Sequence, residues 1–162
     1  MESIIITLEQ LKKLSMEIAV LACGCFWGPE IKFSKLEGVI RTEVGYCGGN
    51  TKNTTYEEVC NGNTNHAEVV KLEFDSSQIS YSEILNYFFE IHDPTSLNFQ
   101  GPDIGTQYRS EIFYLNDKQK KIAESVLEKN NKKLLGKIVT KISKIKNYSV
   151  AEEYHQKYLE KR

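Results

Sequence analysis

The sequence lacks both a long hydrophobic run and an excess of charge of either sign. Its longest apolar stretches, residues 4–7 and 18–25, fall well short of the roughly 20 residues that a membrane-spanning helix needs. The 21 lysines and arginines nearly balance the 22 aspartates and glutamates, which leaves a formal net charge of -1. A near-neutral chain has no electrostatic footprint for nucleic acid. These absences exclude membrane-spanning and nucleic-acid-binding functions.

The amino terminus also lacks the features of a secretion signal, which has positive charge ahead of a long apolar region. Glu2 and Glu9 are acidic, and Lys12 and Lys13 follow the apolar residues rather than precede them. We therefore expect a cytoplasmic protein. In that compartment cysteines are expected as thiols rather than as a disulfide framework. The four cysteines are Cys23, Cys25, Cys47 and Cys60.

Apolar periodicity and turn residues divide the 162-residue chain into alternating strands and helices. Predicted strands cover residues 17–22, 38–46, 66–74, 107–115 and 138–145. Predicted helices cover residues 29–36, a short segment ending at 60, and residues 81–91, 117–130 and 151–159. Their predicted N-caps are Thr54 or Thr55, Ser80, Asn116 or Asp117, and Ser149. The alternation predicts an α/β fold with a mixed sheet of about five strands and covering helices.

The chain length fits one compact domain, which we place at residues 16–162. Residues 1–15 are predicted to be an N-terminal extension, in which residues 4–14 are compatible with a short amphipathic helix. Residues 93–105 contain two prolines and two glycines and are predicted to be irregular. An irregular segment of this length is typically functional.

Cys25 lies in the segment Gly24-Cys25-Phe26-Trp27-Gly28, between a predicted strand and a predicted helix. Backbone N–H groups and the helix dipole at this position favour an anion, so a thiolate is expected to be stabilised. The glycines allow a sharp turn that leaves the sulfur accessible, and the aromatic pair offers a pocket for a methyl group. From the residues alone, a reactive nucleophile and a buried inert cysteine both remain open.

Glu68 is unusual because strand alternation places it on the same face as Val70, Leu72 and Phe74. A carboxylate on an apolar face is costly unless it is paired or protonated. A raised pKa there would suit a general acid at neutral pH. The alternative is that Glu68 lies at an open strand end in contact with water, which is commoner for a glutamate.

Sequence blocks from residue 16 onward resemble the methionine sulfoxide reductase A family. The matching blocks are GCFWG at 24–28, GYCGG at 45–49, the segment 56–68 that ends in HAE, the long loop 92–105, QYRS at 107–110 and AEEYHQ at 151–156. Each block alone is weak evidence for this family, whereas the full set of blocks in this order is strong evidence for it. The resemblance implies the ferredoxin-like core of that family and the activity of a peptide-methionine (S)-S-oxide reductase, which repairs oxidised proteins.

The resemblance also implies a role for each matching residue. The catalytic residues would be Cys25, Glu68, Tyr56 and Tyr108, and the substrate-binding residues Phe26, Trp27 and Asp103. The cysteine attacks the sulfur of methionine-S-sulfoxide, free or in proteins, and becomes a sulfenic acid. The glutamic acid protonates the oxygen, the tyrosines hydrogen-bond it, the aromatic pair encloses the methyl group and the aspartate orients the substrate.

Recycling of the sulfenic acid is where the sequence departs from many family members, which use a C-terminal cysteine. Here no cysteine follows Cys60, which is interpreted as structural. Cys47, in the glycine loop formed by GYCGG at 45–49, or an external thiol is the predicted resolving group. Cys23 could pair with Cys25 only in a strained small ring. The resemblance implies no bound metal or other cofactor, an external reductant such as thioredoxin, a glutaredoxin-like protein or dithiothreitol, and a monomer.

Asn65 is a second departure, because it occupies the position before His-Ala-Glu where the family has glycine. Asparagine tolerates a left-handed backbone better than most residues, so the turn is expected to survive.

Three other functions fit parts of the sequence. A zinc module would draw on the four cysteines and His66, but their spacing lacks the paired knuckles of structural sites. A cysteine hydrolase would pair Cys25 with His66, His92 or His155, a pattern of low specificity. We expect His92 to organise the turn at Pro94 and His155 to lie on the last helix as a surface or packing residue. A non-catalytic redox sensor would not need the full set of site residues.

Overall fold

The computed structural model describes residues 5–162, which form a mixed sheet with helices packed on it. The helices in this range are α1 (Leu8–Ser15), α2 (Trp27–Ser34), α3 (Tyr56–Cys60), α4 (Tyr81–Ile91) and α5 (Asp117–Lys133). The strands are β1 (Met16–Cys23), β2 (Val39–Cys47), β3 (Ala67–Asp75), β4 (Phe99–Gln100), β5 (Asp103–Ile104), β6 (Ser110–Tyr114), β7 (Lys141–Lys144) and β8 (Ser149–Val150). Short 3-10 turns cover Thr106–Tyr108 and Glu153–His155.

The described strands form a six-stranded sheet in the order β7-β6-β1-β3-β2-β8, and β4 pairs with β5 in a separate hairpin. Neighbouring strands of the large sheet are antiparallel, except β6 and β7, which are parallel. The predicted mixed α/β fold is confirmed. The described sheet has six strands where about five were predicted, and the additional strand is β8, whose two residues cannot show alternation.

Strand alternation places two apolar clusters on opposite faces of the sheet. On the face that carries α2, α4 and α5, Leu21, Leu72 and Phe74 are fully buried. Burial of each such side chain stabilises the fold by roughly 1.5–3 kcal/mol. The opposite face has a smaller cluster, formed by Val20, Ala22, Cys47, Ala67, Val69 and Phe113. The two faces therefore separate residues that are adjacent in sequence.

The helix starts follow the predicted capping chemistry. Side chains of Thr55, Ser80 and Asn116 accept hydrogen bonds from backbone N–H groups three residues on. A capping box between Thr7 and Gln10 starts α1, so the proposed amphipathic helix covers Leu8–Ser15, whereas residue 4 lies outside the described residues. No helix within residues 5–162 is both long and apolar enough to span a membrane.

The predicted last helix, at residues 151–159, is wrong. Ser149 does not cap a helix but pairs with Tyr46 as part of the edge strand β8. The Ala151 N–H donates to the carbonyl of Val44, and the Gln156 side chain bonds both the N–H and the carbonyl of Val44. These bonds hold the segment on the edge of β2, where only a short 3-10 turn at Glu153–His155 forms, so tertiary pairing overrides local helix preference.

Candidate active site

The three central strands, β1, β2 and β3, bring the predicted site residues together at one end of the sheet. β1 and β2 both end where β3 begins, because each is antiparallel to β3. Gly24 follows β1 with a φ of 96° and turns the chain into α2. A Cβ at Gly24 would lie 2.8 Å from the side chain of Gln100, so this turn requires glycine. It places Cys25 directly before α2, above the end of β3.

Cys25 is half-buried, and its sulfur accepts a hydrogen bond from the backbone N–H of Trp27. Burial, opposed by this bond and reinforced by the negative charges of Glu68 and Asp103, raises the pKa of the thiol to about 11. The predicted N–H contact is therefore present, but the predicted net stabilisation of the thiolate is wrong, because burial outweighs it. At neutral pH Cys25 is a thiol.

Glu68 is only 1% exposed, on the same face of β3 as the apolar core residues. Its Oε1 accepts a hydrogen bond from the Phe26 N–H at 3.2 Å, and its Oε2 accepts one from Gln107 Nε2 at 3.4 Å. Burial, only partly opposed by these two bonds, raises the pKa of the carboxyl to about 7. The alternative of an open strand end is wrong, and near neutral pH a substantial fraction of Glu68 carries the proton that a general acid needs. The preceding turn is also as expected, with Asn65 at a φ of 60°.

Tyr56 at the start of α3 and Tyr108 at the end of a 3-10 turn are half-buried beside Glu68. Burial and then the Glu68 charge raise the pKa of Tyr108 to about 12. Burial and then the neighbouring Cys60 thiol raise the pKa of Tyr56. Both hydroxyls are therefore protonated at neutral pH and available as donors to an oxygen atom.

Asp103 lies in the β4–β5 hairpin, which closes one side of the site. It is half-buried, and its charge acts on Cys25, Glu68 and Tyr108. The structure thus brings this residue of the predicted irregular segment to the predicted catalytic residues.

Two aromatic residues form the wall next to Cys25. Phe26 is 1% exposed and packs against the ring of His155, with 5.2 Å between ring centroids. The Trp27 Nε1–H donates to His155 Nδ1 at 3.1 Å, and the indole stacks on Tyr158 with centroids 3.9 Å apart. Because this bond and stack fix the plane of Trp27, the wall is a preformed apolar surface.

Four residues of the site were not predicted as site residues from the sequence, namely Tyr46, Gln107, Glu152 and His155. Glu152 accepts hydrogen bonds from the Tyr46 hydroxyl at 2.8 Å and from the Tyr56 N–H at 2.9 Å, and so fixes α3 to β2. His155 is 2% exposed and lies in a 3-10 turn, where its ring packs against Phe26, so the expected packing position is confirmed and the surface position on a helix is wrong. All four lie inside blocks that resemble the family, and this was the signal that could have identified them.

The three other cysteines differ in their access to Cys25. Cys47 lies on the opposite face of the sheet, fully buried, and its Sγ donates to the carbonyl of Lys146 at 3.3 Å. Cys23 is buried in β1. Cys60 is exposed and lies 3.5 Å from Gln107 Nε2. This position does not fit the interpretation of Cys60 as structural, and the position of Cys47 disfavours it as the resolving thiol.

The histidine arrangement disfavours a cysteine hydrolase. His66 forms hydrogen bonds with the backbone of Gly49 and Thr51. His92 forms hydrogen bonds with the carbonyl of Phe88 in α4 and with the hydroxyl of Ser110 in β6. The turn at Pro94 is held by the carboxylate of Asp93 rather than by His92, which corrects that expectation. The hydrogen bonds within residues 5–162 include none between Cys25 and a histidine, so the pair that activates a thiol in such enzymes is not formed.

Comparison with known proteins agrees with this site. The family model described as peptide methionine sulfoxide reductase matches residues 17–162. The chain is 76% identical over 147 residues to the peptide methionine sulfoxide reductase MsrA of Pelagibacter ubique (strain HTCC1062), covering 91% of this chain and 100% of that protein. The crystal structure of Mxr1 from Saccharomyces cerevisiae in reduced form is similar with a TM-score of 0.88 and 40% identity, covering 92% of this chain and 87% of that one. Mxr1 in complex with Trx2 is similar with a TM-score of 0.65 and 28% identity, covering 90% and 86%. The chain therefore belongs to the peptide methionine sulfoxide reductase family and is of its A type.

Proposed function

We propose that this site reduces methionine-S-sulfoxide, free or in proteins, with Cys25 as nucleophile and Glu68 as general acid. The observation that carries the proposal is the position of Glu68, a buried carboxyl bonded to the Phe26 N–H, one residue from Cys25. An oxide is a poor leaving group until it is protonated, so a neutral acid beside the nucleophile is what the step needs. The reaction is the repair of oxidised methionine.

The net result of the chemical step is the transfer of one oxygen atom from the substrate sulfur to the Cys25 sulfur. The Cys25 sulfur attacks the sulfoxide sulfur and forms an S–S bond, while Glu68 protonates the oxygen and takes up the thiol proton. With that second proton the oxygen leaves as water and the S–O bond breaks; water then adds to the Cys25 sulfur, the S–S bond breaks and the released proton returns to Glu68. Methionine and a Cys25 sulfenic acid are formed. Because Glu68 recovers a proton, the carboxyl ends the step as it began.

The remaining residues position the substrate. We assign the Tyr56 and Tyr108 hydroxyls as donors to the sulfoxide oxygen, since both are protonated and face Glu68. Phe26 and Trp27 enclose the methyl group against the wall that His155 holds in place. Asp103 in the adjacent hairpin orients the rest of the side chain.

Recycling requires a thiol reductant, and the Trx2 complex of the yeast relative supports a thioredoxin in that role. A glutaredoxin-like protein offers the same dithiol chemistry, and dithiothreitol can replace either in vitro. We further propose that the protein works as a monomer in the cytoplasm, where such reductants keep thiols reduced.

The test is the reduction of a racemic methionine sulfoxide derivative with dithiothreitol, followed by chiral separation of what remains. We expect the S epimer to disappear with the intact protein and to persist with Cys25→Ser. Cys47→Ala, which changes a buried thiol on the other face of the sheet, is the matched control and should retain activity. Loss of neither epimer with the intact protein would refute the proposed function.

A further inference from the structure

Cys60 is an exposed thiol that shares a site with Cys25. Of the four cysteines, all of which lie in the described part of the chain, only Cys60 is exposed. It ends the five-residue helix α3, four residues after Tyr56. Residues four apart lie on the same helix face, so Cys60 faces the site together with the Tyr56 ring.

Gln107 connects the two thiols through Glu68. Its Nε2 lies 3.5 Å from the Cys60 sulfur and 3.4 Å from Glu68 Oε2. The other carboxylate oxygen lies 3.2 Å from the backbone nitrogen of Phe26, the residue after Cys25. Both thiols also contribute electrostatically to the environment of Tyr108. The Glu68 carboxyl is therefore linked on one side to the residue after Cys25 and on the other side, through Gln107, to Cys60.

The two other thiols are poorly placed for exchange, which needs an accessible thiolate. Cys23 is buried in β1, and burial raises its pKa to about 12. Cys47 is buried on the opposite face of the sheet, where its Sγ donates to the carbonyl of Lys146. Access and position thus single out Cys60 among the cysteines of this sequence.

We propose that Cys60 is the resolving cysteine, which condenses with the Cys25 sulfenic acid that the proposed function generates. The Cys60 sulfur attacks the Cys25 sulfur, an S–S bond forms and the S–O bond breaks. The oxygen leaves as water, with the proton of the sulfenic hydroxyl and the proton of the Cys60 thiol. One thiol of an external dithiol then attacks the exposed Cys60 sulfur and releases the Cys25 thiol. The second thiol attacks the resulting mixed disulfide, which releases the Cys60 thiol and leaves the reductant as a disulfide.

Cys25 and Cys60 are both free thiols in this structure, so their disulfide needs α3 to adjust until the Cα atoms lie within about 7 Å of each other. The segment that has to move is short, since α3 is a single turn followed by the exposed residues 61–63. Apart from Gly62 and its two chain neighbours, no described residue has an atom within 4 Å of the position of a Cβ at Gly62, so the turn after α3 has room. Two restraints oppose this movement, namely Glu152, which holds the N–H of Tyr56, and Val59, whose side chain is buried in the core.

The test is one turnover without reductant. The fully reduced protein, Cys60→Ala and Cys47→Ala are each mixed with one equivalent of methionine sulfoxide. Methionine is quantified, free thiols are counted, disulfides are mapped by peptide mass spectrometry and sulfenic acid is trapped with dimedone. We expect methionine from all three proteins. A Cys25–Cys60 disulfide should form in the intact protein and in Cys47→Ala, whereas Cys60→Ala should keep a dimedone-reactive Cys25.

The outcomes separate this inference from the proposed function. A Cys25–Cys23 or Cys25–Cys47 disulfide, or a lasting sulfenic acid in the intact protein that has formed methionine, would overturn the role of Cys60 alone. Absence of methionine from the intact protein would overturn the proposed function, and the resolving role with it. In steady state, Cys60→Ala should lose more of its thioredoxin-driven rate than of its dithiothreitol-driven rate, because the small thiol can reach Cys25 directly.

Discussion

At the scale of single residues, Glu68 links the geometry of the site to its chemistry. One carboxylate oxygen holds the N–H of Phe26 and the other holds Gln107, so the side chain is fixed on both sides. Burial raises its pKa to about 7, whereas burial raises the pKa of the neighbouring Cys25 to about 11. Near neutral pH Cys25 therefore keeps its thiol proton and Glu68 is partly protonated, so the two groups together hold the protons that release of the oxygen needs.

This arrangement predicts how the rate depends on pH. Glu68 has to be protonated to act, so kcat/KM should fall as pH rises through about 7, where this carboxyl ionises. Glu68→Gln keeps a similar shape but has no proton to give, so we expect about 10²- to 10⁴-fold lower kcat and no such fall near neutrality. The measurement is a pH profile of methionine formation with dithiothreitol, for both proteins. A fall near pH 7 that persists in Glu68→Gln would assign it to another group.

At the scale of elements, the turn from β1 into α2 determines where the nucleophile lies. Gly24 has a φ of 96°, and a Cβ there would collide with Gln100. The Gln100 side chain accepts a hydrogen bond from the Asp93 N–H and so anchors the β4–β5 hairpin. Gly28, one turn later inside α2, has no atom within 4 Å of its Cβ position among the described residues, apart from its chain neighbours and the nearby backbone of its own helix. Alanine substitutions at these two glycines therefore compare a strained, crowded position with an uncrowded position in the same segment.

Gly24→Ala should destabilise the protein by about 1–3 kcal/mol, since a side chain at this φ is strained and its Cβ collides with Gln100. Gly28→Ala should be neutral or stabilise by up to about 1 kcal/mol, because alanine favours a helix over glycine. Urea denaturation of both variants provides the comparison. Equal effects would show that the turn relaxes around a Cβ and does not require glycine.

Elements with local signals were predictable from the sequence, and elements made by distant contacts were not. Ser80 and Asn116 mark their helix starts within three residues of sequence, and the strand that carries Glu68 shows its apolar face by alternation. The segment after Ser149 looked helical because its contacts with the edge of β2 have no signal in its own sequence. The same reason concealed His155, whose place is set by Trp27, 128 positions away in the chain.

The cysteines show the same limit at the site. Cys47 is adjacent to the glycine loop in sequence, which suggested proximity to Cys25, but strand alternation turns it to the other face of the sheet. Cys60 is brought near Glu68 through Gln107, 47 positions away in the chain. The candidate nucleophile and acid were therefore predictable from local patterns, whereas the spatial order of the thiols required the fold.

At the scale of the whole molecule, the catalytic acid couples function to stability. The pKa of Glu68 rises from an ordinary value of 4.5 to about 7 on folding, chiefly through burial. In the unfolded chain the carboxyl ionises at the lower value, so the unfolded state binds fewer protons between pH 4.5 and 7. The free energy of unfolding contributed by this group is fully present below the lower pKa and is lost as pH rises through the higher one. At 1.36 kcal/mol per pKa unit the loss is about 3 kcal/mol.

Glu68→Gln should escape this loss, because its side chain cannot ionise. We subtract the free energy of unfolding of the intact protein from that of Glu68→Gln. We expect this difference to become more positive by up to about 3 kcal/mol from pH 4 to pH 8. Urea denaturation at the two pH values measures the shift, and Glu124→Gln, on the exposed side of α5, controls for the exchange of glutamate for glutamine. If both variants shift equally, Glu68 ionises in the folded protein as easily as a surface carboxyl. The site would then have no physical means of keeping its acid protonated at neutral pH, and the general-acid role would fail together with the predicted pH profile.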